Sequence, residues 1–367
     1  MNTEVKTCNK CLLNDKIEGV TIDDNGLCNV CSEYKPHVPY GESELLKLFQ
    51  KARNKRRIYD ALVPLSGGKD STYVLYLAVK KYNLKVLTYT YDNGFMSDYA
   101  KQNIKTSVNK CKVDHIWVKH NEELIHHLYQ SVLKLTGEIC GVCGIGIERS
   151  MLKISEAYKT PLILLGHAAT EQNSFTSEKI YDQERLKAIL KHDKNISHEM
   201  INRFLIYPNL NYISSFLYTK IGRFGKKVNI LFYLENLTDQ EIGNLLKKEM
   251  DWLEPADSEY TRHFDCIAEP FTNHIREKRF GNSRRLPQLS NMIRSSEITR
   301  EQAYKIILND GDKMQKQSIN NVMKTLNLTE SDIEDIINIP QNVFGEVTSL
   351  SNNIFAKVRK VIKKNTH

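Results

Sequence analysis

The chain has 367 residues, of which 41% are hydrophobic and 26% are charged, a balance typical of a globular protein with one large or two ordinary domains. No apolar run approaches the roughly 18 residues that a membrane span needs, and residues 1–9 are too polar for a signal peptide, so we expect a cytoplasmic protein with no membrane partner. The net charge of +8 is modest for this length; it favours anionic ligands and does not require nucleic acid.

The N-terminal segment carries two Cys-x-x-Cys pairs, Cys8 with Cys11 and Cys28 with Cys31, and sixteen residues separate the pairs. Four thiolates at this spacing suit one tetrahedral Zn²⁺ ion. Disulfides are the alternative, but a reducing cytoplasm disfavours them. A segment this short cannot bury enough surface to fold alone, so the ion would supply its folding free energy. We therefore predict a zinc ribbon over residues 1–36.

A second informative stretch spans residues 60–71, where a short apolar run stops at Gly67 and Gly68 and a helical pattern follows. This predicts a strand, a tight loop and a helix. The glycines allow backbone N–H groups to approach a phosphate, and the helix N-terminus adds partial positive charge. Hydroxyl and ammonium donors flank the glycines: Ser66, Lys69 and Ser71. The stretch therefore predicts an anion site, although a plain turn would also accommodate it.

The six residues from Ser66 to Ser71 resemble, letter for letter, the S-G-G-x-D-S loop of the PP-loop ATPases. That superfamily splits ATP between its α- and β-phosphates, so the resemblance implies ATP and Mg²⁺ as cofactors and adenylation of a carbonyl oxygen as the reaction. Lys69 and the loop amides would hold the departing pyrophosphate and Asp70 would hold Mg²⁺, which makes both side chains catalytic candidates. All six residues are nucleotide-binding candidates: Ser66, Gly67, Gly68, Lys69, Asp70 and Ser71.

Further β-rich runs at residues 85–92, 115–118, 161–165 and 228–234 alternate with helical patterns. This alternation predicts an α/β fold, with a parallel sheet covered on both faces and ligands at the carboxyl ends of the strands. The resemblance implies the Rossmann-like, adenine nucleotide alpha-hydrolase-like version of that fold.

Two of the predicted strands end in residues that could reach a nucleotide. In PP-loop enzymes the second strand end lies against the nucleotide, although a plain turn is the alternative here. The candidates at that end are Tyr91, Asp92 and Gly94. A later strand ends at Gly166, a further nucleotide-binding candidate. His167 and Glu171 follow it and could act in proton transfer, although such loop residues are more often structural.

Three further cysteines form a second group. Cys140 and Cys143 make another Cys-x-x-Cys about seventy residues after the loop, and Cys266 lies far downstream. The positions resemble those of the PP-loop tRNA-thiolating enzymes, in which three cysteines hold a 4Fe-4S cluster with one open iron. Three soft thiolates could hold such a cluster or, with another ligand, a second zinc ion. Reduced cysteines packed near the core are the alternative. Cys111, which has no near partner, we assign to the core.

Beyond residue 253 the β signals fade and helical patterns dominate. We therefore predict three units: the ribbon at 1–36, an ATP-binding α/β domain at 37–253, and a helical substrate or interaction region at 254–367. The last unit is rich in basic side chains, and guanidinium forks match carboxylate and phosphate oxygens. The candidate substrate contacts are His263, Arg276, Arg279, Arg284 and Arg294.

The complete arrangement resembles the N-acetyl sugar amidotransferases of bacterial surface-polysaccharide and flagellin-sugar biosynthesis. The resemblance is carried by the two N-terminal cysteine pairs, the loop at 66–71, the turn at 91–94, Cys140 with Cys143, and the His-Phe-Asp-Cys run at 263–266. It implies that ATP adenylates the acetamido oxygen of a sugar, nucleotide-linked or a nonulosonic acid, and that ammonia displaces AMP to leave an acetamidino group. Such sugars occur in lipopolysaccharide O-antigens and as pseudaminic acid.

The chain shows no source of ammonia of its own. Asn2 stands where a nucleophilic Cys would be needed, and no nucleophile elbow with a partner His is recognisable. In related systems a glutaminase and a cyclase-like protein deliver ammonia, which implies such a partner here. The runner-up interpretation is a PP-loop tRNA thiolase that uses an Fe-S cluster. A third is a non-catalytic zinc-ribbon module, which the intact Lys69, Asp70 and Ser71 argue against.

Overall fold

The computed structural model describes residues 5–17, 19–54, 56–167, 181–235, 237–255, 264–309 and 312–340. Its centre is a five-stranded parallel sheet with strand order β3-β2-β1-β4-β5. The strands are β1 Ala61–Pro64, β2 Val86–Asp92, β3 Asp114–Lys119, β4 Leu162–Leu165 and β5 Lys226–Asn229. The predicted α/β class with a parallel sheet is confirmed.

The strand order places a switch point beside β1. From β1 the chain passes through β2 and β3 to one edge of the sheet, then returns to lay β4 on the other side of β1 and continues to β5. Leu62 pairs with Leu87 of β2 and with Ile163 of β4. Open α/β sheets bind ligands in the crevice at such a point, outside the carboxyl ends of the strands. The loops after β1 and β4 therefore flank the expected site.

Helices surround the sheet and form the C-terminal region. The described helices are α1 Asn29–Ser32, α2 Glu42–Ala52, α3 Lys69–Tyr76, α4 Asp98–Cys111, α5 Glu122–Thr136, α6 Cys140–Tyr158, α7 Gln183–Leu190, α8 His198–Leu205, α9 Tyr212–Lys220, α10 Asp239–Met250, α11 Glu269–Phe280, α12 Arg285–Arg294, α13 Arg300–Asn309, α14 Asp312–Thr325 and α15 Glu330–Ile337. A π-helical turn at Leu77–Lys81 extends α3. The predicted helical C-terminal region is confirmed, whereas the unit borders at 36 and 253 stay a prediction.

Both faces of the sheet are packed against helices, and the side chains of β1 alternate between the two faces. Ala61 and Val63 belong to a core with α2, α3, α4 and α10, and Leu62 belongs to a core with α6. A third core contains side chains of the four successive helices α5, α6, α7 and α8 together with α11, α14 and α15. Cys111 is buried in the first core, with its Sγ 3.9 Å from Met250 Sδ, so its predicted place is confirmed.

The observed elements differ from the predicted ones in several places. The β-rich run at 228–234 is a strand only as far as Asn229, and Ile230–Tyr233 forms a 3-10 turn whose first side chain fills the core. Short apolar runs do not distinguish these outcomes. Helices α7, α8 and α9 were not predicted, although side-chain N-caps mark their starts. These caps are Asp182, Ser197 and Asn211.

Among the helices that the structure describes, none combines the length and the apolar character needed to cross a membrane.

Candidate functional site

The loop after β1 is held in one shape by contacts behind it. Gly67 has φ +80°, and a Cβ there would lie 2.3 Å from the carbonyl oxygen of Ala100, so glycine is required. The Gly67 carbonyl oxygen accepts hydrogen bonds from Asn103 Nδ2 and Trp252 Nε1, each at 3.0 Å. These donors come from α4 and from the segment after α10. Helix α4 and the segment after α10 therefore fix the bend of the loop.

The front of the loop suits an anion. The Ser66 N–H donates to Ser71 Oγ at 3.1 Å, and Ser71 Oγ donates to the Gly68 carbonyl at 3.1 Å, which closes the turn. Gly68 precedes α3 and has no side chain that could cap it. Among the residues that the structure describes, no side chain accepts from the N–H groups of the first helical turn. Together with the helix dipole they favour a bound negative charge.

Lys69 begins α3 and lies between two carboxylates. Its Nζ contacts Asp70 Oδ1 and lies 2.7 Å from Asp239 Oδ1, and its side chain is 13% exposed. Burial lowers the pKa of Lys69, but the carboxylates of Asp70 and Asp239 more than offset this and raise it above its ordinary value. Lys69 therefore keeps its positive charge at the loop. Sequence reasoning missed Asp239, although the capping box at Thr238 marks the start of α10 there.

The end of β4 lies against α3, as the sheet order requires. A Cβ on Gly166 would lie 2.7 Å from Val74 Cγ2 and 2.9 Å from the Asp70 carbonyl oxygen, so glycine permits this close approach. His167 is exposed, and its carbonyl oxygen accepts a hydrogen bond from Asn229 Nδ2 at 2.8 Å. Glu171 lies outside the described residues. The proposed roles of His167 and Glu171 in proton transfer stay predictions.

β2 ends in a turn, where Asp92 and Gly94 hydrogen-bond to each other and Tyr91 is buried. Asp92 Oδ1 accepts a hydrogen bond from the Gly94 N–H at 3.0 Å, and Gly94 has φ +82°. Tyr91 is buried against α6, where a Cβ on Gly146 would lie 2.4 Å from its phenol oxygen. Burial raises the pKa of Tyr91 above its usual range. Tyr91 thus faces the helix that begins with Cys140, and contact of these residues with nucleotide stays a prediction.

The four N-terminal cysteines converge. Their sulfur atoms all lie within 4.8 Å of one another, with 3.9 Å between Cys8 and Cys31 and 3.7 Å between Cys11 and Cys28. A tetrahedral ion with Zn–S bonds of about 2.3 Å separates its sulfurs by about 3.8 Å. No disulfide joins any of the eight cysteines, all of which the structure describes. The observed spacing therefore fits one metal ion and does not fit the disulfide alternative.

Backbone N–H groups support these sulfurs. Cys8 Sγ accepts from the N–H groups of Cys11 at 3.5 Å and Cys28 at 3.3 Å, and Cys28 Sγ accepts from the Cys31 N–H at 3.3 Å. A hydrogen bond from Cys31 lowers the pKa of Cys11 to about 5, whereas burial raises the pKa of Cys28 to about 11. A metal that binds all four as thiolates would therefore displace the protons of Cys28 and Cys31, whose pKa values are raised.

The cysteine ribbon is fastened to the C-terminal helices. Arg300 donates to the carbonyl oxygens of Cys8 at 3.0 Å and Cys11 at 3.1 Å, and Leu12 packs among side chains of α12 and α13. Arg294, which the sequence suggested as a substrate contact, is buried with its Nη1 3.9 Å from Cys31 Sγ. The structure therefore places Arg294 at the ribbon.

The second cysteine group is also brought together, but more loosely. Asn93 Nδ2 lies 3.5 Å from Cys143 Sγ and 3.9 Å from Cys266 Sγ, and Arg284 Nη1 donates to Cys140 Sγ at 3.3 Å. In the described part of the chain, only the N-terminal group has three or more ligand atoms within 4.8 Å of one another. Burial raises the pKa of all three thiols, that of Cys143 to about 12.

A buried carboxylate, Glu138, organises two of the predicted substrate arginines. Arg276 Nη1 lies 2.6 Å from Glu138 Oε1, and Arg284 Nη2 lies 3.5 Å from Glu138 Oε2. Arg279 is buried and donates to the carbonyl oxygen of Thr136 at 2.6 Å. Arg276 and Arg279 thus serve internal contacts, whereas Arg284 retains a partly exposed side chain beside the cysteines. The remaining candidate, His263, lies outside the described residues.

Sequence reasoning missed two polar residues of the cysteine group. Asn93 lies within the turn that the sequence analysis identified, and Glu138 stands two residues before Cys140. Their closeness in sequence to Asp92 and Cys140 was the available signal. Their long-range partners, Cys266 and Arg276, could not be read from local spacing.

Comparisons with known proteins place the chain in context. Residues 257–357 match the family model described as "LPS biosynthesis protein WbpG-like, C-terminal domain". The Uncharacterized protein MJ1599 of Methanocaldococcus jannaschii is 23% identical over 140 residues, which are 38% of this chain and 50% of that protein. The chain therefore spans about half the length of this curated relative.

Among solved structures, the chain is similar to the U34-tRNA thiolase NcsA from Methanococcus maripaludis with its 4Fe-4S cluster. The alignment covers 89% of this chain and 90% of the thiolase, with 15% sequence identity and a TM-score of 0.33. A score of that size supports no argument about shared fold or function. Residues 257–357 are thus similar to the C-terminal domain of WbpG-like lipopolysaccharide biosynthesis proteins, and they follow a parallel sheet whose Ser66–Ser71 loop resembles the nucleotide loop of the PP-loop ATPases.

Proposed function

We propose that this protein is an ATP-dependent amidotransferase that converts the acetamido group of an N-acetylated sugar into an acetamidino group. One observation carries the proposal: the loop at 66–71 presents uncapped helical N–H groups and a charged Lys69 at the switch point of the sheet. The match of residues 257–357 to a lipopolysaccharide biosynthesis model supports a sugar substrate. A cytoplasmic location and a sugar of the O-antigen or pseudaminic acid kind belong to the same proposal.

The chemistry explains why ATP is needed. An amide is a poor electrophile because its oxygen leaves poorly. The acetamido oxygen attacks the α-phosphorus of ATP, the bond from that phosphorus to the bridging oxygen breaks, and pyrophosphate leaves. Ammonia then adds to the activated carbon, the C–O bond breaks, AMP departs with the former amide oxygen, and a proton is released. A site closed to water would favour ammonia over hydrolysis.

The residues of the loop supply the electrostatics of the first step. The N–H groups at the start of α3 and the Lys69 ammonium would bind the pyrophosphate oxygens as charge builds on them. Mg²⁺, when bound, offsets negative charge on the departing group. Asp70, which the sequence assigned to Mg²⁺, has one carboxylate oxygen against Lys69, so it also helps to orient that ammonium.

The two cysteine groups fit different metals in this proposal. The four ribbon sulfurs have the spacing of a tetrahedral Zn²⁺ site and would bind zinc structurally. Cys140, Cys143 and Cys266 are spaced too widely for the same single-ion geometry, which favours a 4Fe-4S cluster over a second zinc ion. Asn93 and Arg284 would orient and neutralise those three sulfurs.

The test uses the full chain, purified without oxygen, with ATP, Mg²⁺, ammonium and a set of acetamido sugars. We expect AMP release that depends on the sugar, and mass spectrometry that shows one oxygen replaced by NH. Lys69→Met should lower the rate about 100-fold or more, as expected for loss of one transition-state donor. Lys47→Met, at an exposed position on α2, is the matched control. AMP release with an unchanged sugar would contradict the proposal.

The ammonia source is tested in the same assay. We propose that a separate glutaminase, with a cyclase-like protein, delivers ammonia, so glutamine alone should not support turnover by the purified chain, whereas ammonium should. Turnover with glutamine alone would show that the chain has its own glutaminase.

A tRNA thiolase is the second candidate, because the structure brings Cys140, Cys143 and Cys266 to one place. It predicts ATP-to-AMP turnover that requires tRNA and a sulfur donor, with binding that weakens steeply as salt rises. Turnover with sugars in the absence of tRNA would exclude it as the main activity.

A further inference from the structure

Asp265 lies between the nucleotide loop and the second cysteine group. Its segment is held against the chain after β2: the Ser97 N–H donates to the Asp265 carbonyl at 3.0 Å, and Cys266 pairs with Met96 in an isolated antiparallel bridge. The side chains of the adjacent residues Asp265 and Cys266 reach different surroundings.

Each side chain reaches a different part of the site. Cys266 Sγ lies 3.9 Å from Asn93 Nδ2, in the cysteine group. Asp265 Oδ2 would lie 3.3 Å from a Cβ placed on Gly68, the residue that precedes α3. The carboxylate of Asp265 therefore stands directly over the loop that is suited to a phosphate, and Gly68 leaves it the room to do so.

The charges at the loop make this carboxylate distinctive. Lys69 contacts Asp70 and Asp239, so these two acidic groups have a cationic partner. Within the described ranges, no hydrogen bond or ion pair reaches the Asp265 carboxylate from a side chain or a backbone N–H. Among the residues that the structure describes, this half-buried carboxylate therefore has no cationic partner, and it adds negative charge beside an anion site.

A phosphate at the loop would be attracted by the α3 N–H groups and repelled by Asp265. The two effects are reconciled if a divalent cation lies between the phosphate and the carboxylate. Mg²⁺ in nucleotide sites is bound by one or two carboxylates together with phosphate oxygens and water. We propose that Asp265 is a protein ligand of the divalent cation that accompanies the nucleotide, so that the C-terminal region completes the metal site of the loop. This rests on the proposed use of ATP.

The consequence is a measurable linkage between metal and nucleotide. Because Asp265 repels the metal-free phosphates and binds the cation, Mg²⁺ should tighten ATP binding strongly. Asp265→Asn removes the charge at nearly constant shape. It should tighten binding of ATP measured in EDTA, weaken binding of ATP with Mg²⁺, and reduce the ratio of the two dissociation constants about tenfold, in line with one charge interaction at a partly exposed site.

The experiment is calorimetric titration of ATP into the full chain, with EDTA and with Mg²⁺, and no sugar present. Asp98→Asn is the matched control, because it removes one carboxylate from an exposed position at the start of α4. The ratio should be unchanged in that variant. A ratio that is equally unchanged in Asp265→Asn overturns the inference while leaving ATP binding, and hence the proposed function, intact.

Two other outcomes are separable. If the wild-type chain binds ATP under neither condition, the proposed function fails and this inference fails with it. If Asp265→Asn does not fold, as judged by circular dichroism, Asp265→Glu decides: it keeps the charge but shifts it by one methylene. A reduced ratio in that variant supports a ligand at this position, and a wild-type ratio overturns it.

Discussion

The two cysteine groups differ in what holds their sulfur atoms. In the ribbon, backbone N–H groups donate to three of the four sulfurs, and all four lie within 4.8 Å of one another. In the second group the donors are side chains, Arg284 and Asn93, and only three sulfurs are present. A closed set of four ligands suits a structural ion, whereas an open set of three leaves a position for chemistry. On the proposed function, the difference teaches that one fold can separate a metal site that stabilises the protein from a metal site that takes part in the reaction.

The location of the two groups agrees with this division. The ribbon sits on α12 and α13, whereas the second group adjoins the end of β2 and the start of α6. Substitutions in the ribbon should therefore change stability, and substitutions in the second group should change the reaction.

The largest effect is expected for Cys28→Ser. Loss of one of four ligands should release the ribbon metal, and structural zinc contributes about 10–16 kcal/mol in isolated finger peptides. We expect hydrogen exchange to show that the ribbon unfolds while β1 to β5 remain protected. Metal analysis should show one equivalent of metal less in the variant than in the wild-type chain. Cys111→Ser is the control, since that buried thiol lies in the core beside Met250 and should leave the metal content unchanged.

The next largest effect is expected for Glu138→Gln. This change leaves the buried Arg276 without its carboxylate partner, at a cost of about 3–5 kcal/mol in the free energy of unfolding. Urea denaturation measures it. Glu148→Gln, which affects a partly exposed pair with Lys227, should cost about 1 kcal/mol or less. Equal losses of unfolding free energy in the two variants would mean that burial does not strengthen the interaction between Glu138 and Arg276.

A smaller effect is expected for Arg300→Met. The substitution removes two hydrogen bonds that the half-buried guanidinium donates to the carbonyl oxygens of Cys8 and Cys11, at a total cost of about 1.5–3 kcal/mol. The ribbon should keep its metal but exchange its amide hydrogens faster. Loss of the metal itself would show that docking on the C-terminal helices, rather than the four sulfurs, maintains the site.

The smallest effect on stability is expected for Cys143→Ser, about 1 kcal/mol, as for an ordinary substitution. Metal at the second group and the visible absorption of a cluster should nevertheless disappear, and AMP release should fall. A large drop in melting temperature with unchanged turnover would reverse the comparison between the two groups.

The structural features that could be predicted from the sequence are those that depend on residues close together in the chain. The strand, loop and helix at 60–76 could be predicted from neighbouring residues, although Asn103 and Trp252 hold the bend of the loop. The ribbon spacing likewise predicted which sulfurs can meet. Arg276, Arg279 and Arg294 show the limit, because composition suggested substrate contacts while their partners lie in distant segments. A guanidinium seen only in sequence suits an internal carboxylate as well as a ligand. Asp239 and Glu138 were missed for the same reason, since their roles depend on partners brought close by packing.

The hydrogen bond from Arg300 to Cys8 joins residues 292 positions apart. During synthesis at roughly 5–20 residues per second, the seat for the ribbon emerges about 15 to 60 seconds after the ribbon itself. In that interval the nascent ribbon would hold its proposed ion without the helices that later cover Leu12. The metal available during synthesis would then determine how many chains have a folded ribbon when the C-terminal helices form.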